Sequence, residues 1–144
     1  MIYDSIPSQL SLGKHKISLT SILGRSKKNE QLLFDLIDSK TVLPCFNVKD
    51  PSISLSLTKN VNEYKLYLSD IGLFTTMLFN DKKLIFENIY SKLLSDKLEA
   101  NLGYLYENAI AQIIKSNNRE LYYHTWRDNN THAYEIDFLL TDGN

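Results

Sequence analysis

Tyr134-Glu135-Ile136-Asp137-Phe138-Leu139-Leu140-Thr141 alternates apolar and acidic side chains over its first five positions, the two-residue period of a strand with one face in a core. The alternation puts Tyr134, Ile136, Phe138 and Leu140 on one face and Glu135 and Asp137 on the other. Two carboxylates on one strand face point into the same volume, which is either a solvent face or a place where a cation or a general base is wanted. Just upstream, Leu121 to Arg127 is rich in Tyr, His and Trp and also reads as a strand. Asp128, Asn129 and Asn130 supply the polar turn between them, so the two runs predict a terminal β-hairpin.

Before the hairpin, the spacing predicts a long helix from Leu98 to Ser116, with Leu102, Leu105, Tyr106, Ala109, Ile110, Ile113 and Ile114 on one broad stripe. Glu107 falls on the shoulder of that stripe. It is either a solvated edge residue or a carboxylate facing a cleft. Further back, Leu73, Met77 and Leu78 resume helical spacing after Asp70-Ile71-Gly72, and a weaker amphipathic segment runs from Lys83 to Leu94.

The first half reads as three short helices, Tyr3 to Leu10, Ser18 to Leu23 and Glu30 to Ser39, then a strand from Thr41 to Val48, a loop from Lys49 to Asn62 around Pro51, and a strand from Tyr64 to Leu68. In the third helix Asn29 is placed to cap, and Leu32, Leu33, Leu36 and Ile37 form the expected buried stripe. Three helices and a two-stranded ribbon predict a winged helix-turn-helix over residues 1–70. Residues 71–144 then form a second, α+β lobe in which the long helix packs on the hairpin. In a DNA-binding winged helix the third helix enters the major groove. Here its outward side shows Gln31, Asp35 and Asp38, and carboxylates are repelled by phosphates.

A balanced charge, net -1, excludes a strongly basic nucleic-acid coat and gives no general attraction to a membrane surface. The first 59 residues carry eight Lys or Arg against five acids, and the rest eight against twelve, so any attraction to phosphate is local. It gathers at Lys14, Lys16, Arg25, Lys27 and Lys28, which read either as solvated surface or as phosphate contacts. The single cysteine, Cys45, lies in the apolar run Val42 to Phe46 and reads as a buried strand thiol. His124 and His132 flank the hairpin turn without a recognised metal-ligand spacing, and Trp126, Tyr122 and Tyr123 read as hairpin packing. With no signal-peptide pattern and no membrane-length apolar run, the cytoplasm is the expected compartment.

The sequence resembles bacterial ATPase-family proteins in which an AAA-type P-loop motor is followed by a winged helix and a domain of unknown function with a PD-(D/E)xK nuclease-like fold. The resemblance rests on Tyr3-Asp4-Ser5-Ile6-Pro7-Ser8-Gln9-Leu10, Lys65-Leu66-Tyr67-Leu68-Ser69-Asp70-Ile71-Gly72-Leu73 and Gly103-Tyr104-Leu105-Tyr106-Glu107-Asn108. It continues in Leu121-Tyr122-Tyr123 with Trp126 and in Tyr134 to Leu140, all in matching order. It implies that Glu107 is the helix acid of the nuclease-like core and Asp137 the acid of its central hairpin, with Glu135 beside it. Active members of that superfamily hold Mg²⁺ with the Asp and a Glu on the next strand, and a Lys two residues later helps position the attacking water.

That Glu-x-Lys strand is expected after Asn144, and Asp142-Gly143-Asn144 is a turn signal with no strand after it, so the chain reads as cut short. Gly13-Lys14 is followed by His15 with no Gly five residues upstream, so it is not a phosphate loop. The expectation is therefore a noncatalytic C-terminal fragment of an AAA-type ATPase family protein, with an incomplete catalytic set at Glu107, Glu135 and Asp137 and no cofactor of its own. Its expected partners are the ATPase module, nucleic acid, or a second copy paired along the edge strand 134–141. Two alternatives stand beside it: a Mg²⁺-dependent nuclease with Asp137 as metal ligand, completed by further residues or a second chain, and a winged-helix DNA-binding regulator.

Overall fold

Every residue from Tyr64 to Leu68 is buried, although one of the five is a lysine. A strand buried on both faces needs a partner on each side and cover above and below. The computed structural model describes residues 17–18, 27–79, 103–128 and 132–141. In chain order these form β1 (Ile17–Ser18), α1 (Lys27–Asp38), β2 (Val42–Val48), α2 (Leu55–Thr58), β3 (Lys59–Leu68), α3 (Ile71–Phe79), α4 (Gly103–Ser116), β4 (Leu121–Asp128) and β5 (His132–Leu139). The five strands make one mixed sheet in the order β1-β3-β2-β4-β5. Neighbours are antiparallel except β2 and β4, which run parallel with Cys45 opposite Leu121 and Asn47 opposite Tyr123. The fold is α+β, and the strands on either side of residue 70 share that sheet.

Two layers of helix cover it. Phe34 and Ile37 of α1 line a groove with Pro44 and Phe46, which alternate along β2 with Cys45 and so mark one face. On the other face α4 meets β3 through Glu107 and Asn108. The core joins Leu33, Val42, Leu43, Cys45, Leu66, Tyr67, Leu68, Phe74, Ala111, Leu121 and Tyr123. Cys45 is fully buried, as its apolar context predicts. Asp70 starts α3: its carboxylate accepts the Leu73 N–H at 3.0 Å and its carbonyl accepts that of Phe74 at 3.0 Å.

Several expectations change. The predicted helix from Ser18 meets the described residues only at Ser18, which with Ile17 forms a strand opposite Glu63 and Tyr64. The edge of β3 offers backbone partners that a short isolated helix lacks. The rest of that helix, the Tyr3 to Leu10 helix, the Lys83 to Leu94 segment and residues 98–102 lie outside the described residues. Helix α1 begins before Asn29, which is therefore not its cap. Leu33 is buried and Leu36 and Ile37 partly so, but Leu32 is 45% exposed, about 90° around the helix from the middle of the other three. Lys49 to Asn62 is not all loop. Asp50 accepts the N–H and hydroxyl of Ser52 around Pro51, α2 follows, and β3 resumes at Lys59 because Val48 and Asn47 supply ladder partners.

The rotation of α4 also differs. Tyr104, Asn108 and Ala111 are buried, whereas Tyr106, Ile110 and Ile113 of the predicted stripe are exposed. The buried Asn108 side chain satisfies both backbone groups of Leu68, accepting its N–H at 2.8 Å and donating to its carbonyl at 2.9 Å. Polar satisfaction, not the count of apolar residues, sets the helix's facing.

The hairpin forms as predicted, but β5 does not alternate throughout. Tyr122 pairs with Leu139 and His124 with Ile136, so Asp137 and Phe138 together oppose Tyr123. This bulge turns Phe138 onto Tyr67, at 5.6 Å between ring centroids, while Leu139 joins Val48, Leu55 and Tyr122. Phe138 is therefore not on the face of Tyr134 and Ile136. Among the described residues β5 pairs only with β4.

Candidate functional site: a buried lysine among three carboxylates

Lys65 and Tyr67 project from β3 onto the face covered by α4, the side on which Cys45 lies opposite Lys65 in β2. The Lys65 side chain has no solvent exposure. Its Nζ lies 2.6 Å from Glu135 Oε1, 2.9 Å from Asp137 Oδ1 and 3.8 Å from Glu107 Oε2. Tyr67 donates its hydroxyl to the same Glu107 oxygen at 3.2 Å. The Tyr123 ring closes another side, its centroid 5.2 Å from Nζ. Asp137 follows Glu135 on the same face of β5, and the bulge adds Phe138 to that face, against Tyr67.

Burial opposes the charged form of Lys65, but hydrogen bonds to Glu135 and Asp137 and the fields of Glu135 and Glu107 more than offset it, so its pKa lies above the ordinary lysine value. The group is an ammonium. Burial first, and then the negative surroundings, raise the Tyr67 and Tyr123 phenols, which stay protonated. Burial likewise pushes the Cys45 thiol up, with Lys65 pulling the other way, and this is not a reactive thiolate.

The three acids predicted from the sequence thus converge, from β5 and α4, on one place. They border an open cleft of about 670 Å³ shared with Trp126, Arg127 and Tyr134. Sequence reasoning missed the lysine. It expected one only beyond Asn144, and Lys65 comes instead from a strand in the first half of the chain. The available signal was a lysine inside the otherwise apolar run Tyr64 to Leu68, which demands a buried carboxylate partner.

The Mg²⁺ implied by the resemblance does not fit these residues as they stand. One oxygen of Glu135 and one of Asp137 already accept from an ammonium, and no three His, Cys, Asp or Glu side chains among the described residues are arranged to hold a metal ion. His124 gives its Nδ1 to a 2.6 Å contact with the Val48 carbonyl and stacks on Trp126, which stacks in turn on Tyr134. Tyr122 and Tyr123 are buried, as hairpin packing predicts, whereas Trp126 is 42% exposed. Beside the lysine cluster, Asn47 donates to Glu63 at 2.9 Å, while Asn47 Oδ1 and the Tyr123 hydroxyl are buried without a hydrogen-bond partner.

Of the basic residues, Lys14, Lys16 and Arg25 lie outside the described residues, as do the Lys27 and Lys28 side chains, although these two open α1. Gln31, Asp35 and Asp38 are exposed on α1 as expected, with Gln31 donating to Asp35 at 3.0 Å. No described helix is long and apolar enough to cross a membrane. No family model, curated protein or solved structure matches the chain.

Proposed function

We propose that this chain is a noncatalytic contact module of the kind found at the C-terminus of AAA-type ATPase family proteins, its winged-helix-like and nuclease-like regions sharing one sheet. The observation that carries the reading is the Lys65 ammonium seated between Glu135 and Asp137. A phosphodiesterase needs those oxygens free to gather positive charge at the scissile phosphate. Here one oxygen of each acid is already engaged by the Lys65 ammonium. Three carboxylates against the Lys65 ammonium and the Arg127 guanidinium leave the cleft formally negative by one charge, which favours a protein surface such as the ATPase module over a nucleic-acid backbone.

The second reading is a Mg²⁺-dependent nuclease, favoured by the convergence of Glu107, Glu135 and Asp137 on one open cleft. A plasmid-nicking assay with and without Mg²⁺ separates the two. No nicking above the Asp137→Ala background is expected. Mg²⁺-dependent nicking that Asp137→Ala abolishes would overturn the contact-module reading. The DNA-regulator reading, through Lys14, Lys16, Arg25, Lys27 and Lys28, requires affinity that falls steeply with salt.

A further inference from the structure

We infer that Lys65 is a tethered cation occupying the place a divalent ion would take among Glu107, Glu135 and Asp137, so that the cleft is closed to Mg²⁺ while Lys65 is present. The inference deepens the contact-module reading by naming what keeps the acids inert. It stands on the disagreement between an acid set that implies a metal and a geometry that already places a cation among those acids.

The ammonium meets Glu135 and Asp137 at hydrogen-bond distance and faces Glu107 at 3.8 Å, so all three acids surround one positive centre. Magnesium demands oxygens at about 2.0–2.1 Å in near-octahedral order. A magnesium ion held by Glu135 and Asp137 would compete for carboxylates whose Oε1 and Oδ1 already bind the ammonium, and it would sit within a few ångströms of that second cation. The ammonium cannot swing aside at low cost. Lys65 is fully buried in the middle of β3, between Cys45 across the ladder and the Tyr123 ring. Tyr67 fixes Glu107 from the same strand, so the acid on α4 is also held in register with the lysine.

The test is Mn²⁺ binding to the full chain, read by the loss of the free-ion EPR signal, in the wild type, Lys65→Met, Lys65→Arg and Lys65→Met/Asp137→Asn. Wild type and Lys65→Arg are expected to show no saturable site. Lys65→Met, close in shape but uncharged, is expected to gain a saturable site at least about tenfold tighter than the weakest affinity the titration detects, and the double variant to lose that gain. Folded Lys65→Met, judged by circular dichroism, with no gain in affinity would overturn the inference.

A second measurement needs no Lys65 variant. The wild-type melting temperature should not respond to roughly 10 mM Mg²⁺, since a ligand of the native state alone raises it. A rise that Asp137→Asn removes would also overturn the inference. Metal binding and strand cleavage are separate readouts. Wild-type metal binding without nicking sinks this inference alone, whereas metal-independent nicking that requires Asp137 sinks the contact-module reading alone.

Discussion

A buried lysine stays charged only where its partners outweigh the water it has given up, and Lys65 meets that condition with two hydrogen-bonded carboxylates and a third nearby. The balance predicts an asymmetry. Lys65→Met removes the cation and leaves three acids crowded together, which is expected to cost about 3 kcal/mol in urea unfolding. The low end of the usual range applies because Glu107, Glu135 and Asp137 are 19%, 24% and 49% exposed and keep some hydration. The pH dependence follows from the raised folded-state pKa. A group bound more tightly to its proton in the native state contributes its full stability below the unfolded value, about 10.4 for lysine, and loses it as pH rises toward the folded value. The stability difference between wild type and Lys65→Met should therefore hold between about pH 7 and 10 and narrow above that. A gap that narrowed between pH 7 and 9 would show that the ammonium is not held as described. At this scale the acids were legible in the sequence and their partner was not, because Lys65 is 72 residues from Asp137 along the chain and the register that joins them belongs to the sheet.

Helix α4 illustrates why an element's existence is easier to read than its facing. The apolar spacing of Leu105, Ile110, Ile113 and Ile114 was enough to predict a helix, but it pointed to the wrong side for Tyr106, Ile110 and Ile113. The deciding residue is Asn108, a poor helix former in mid-helix whose amide stands in for a missing backbone partner at the end of β3. Gln112, one turn on, accepts the Ile71 N–H at 3.3 Å, so α4 ties β3 to the start of α3. Asn108→Ala leaves a buried N–H and a buried C=O of Leu68 unpaired, and is expected to destabilise by about 2–4 kcal/mol with faster amide exchange at Leu68. Asn108→Asp keeps the acceptor and loses the donor, so its loss should be of the same sign in the exchange experiment but smaller at the Leu68 amide. Equal stability of wild type and Asn108→Ala would remove Asn108 as the residue that orients α4. The bulge at Asp137 and Phe138 was hidden for a similar reason: an alternating sequence carries no mark of where the partner strand drops a residue.

Across the whole molecule, the sequence suggested two lobes divided near residue 70, because local patterns change there from a helix–ribbon series to helices followed by a hairpin. Long-range pairing is invisible to such patterns. The parallel contact of β2 with β4 carries one sheet across that boundary, and Cys45, Leu66, Leu121 and Tyr123 enter one core from both sides of it. Lys65 and its three acids bridge the same boundary. Residues that share a sheet and a core lose their contacts together, so the two halves should unfold in one transition. The chain provides a natural pair of reporters, since its one cysteine, Cys45, lies on β2 and its one tryptophan, Trp126, on β4. Thiol labelling of buried Cys45 and fluorescence of Trp126 should give the same urea midpoint. In Lys65→Met both midpoints should fall together, because the lost ion cluster joins the halves rather than belonging to either. Two separated midpoints, or a shift of the Trp126 transition alone, would mean that the halves are held by independent cores and that the β2–β4 seam contributes little to cohesion.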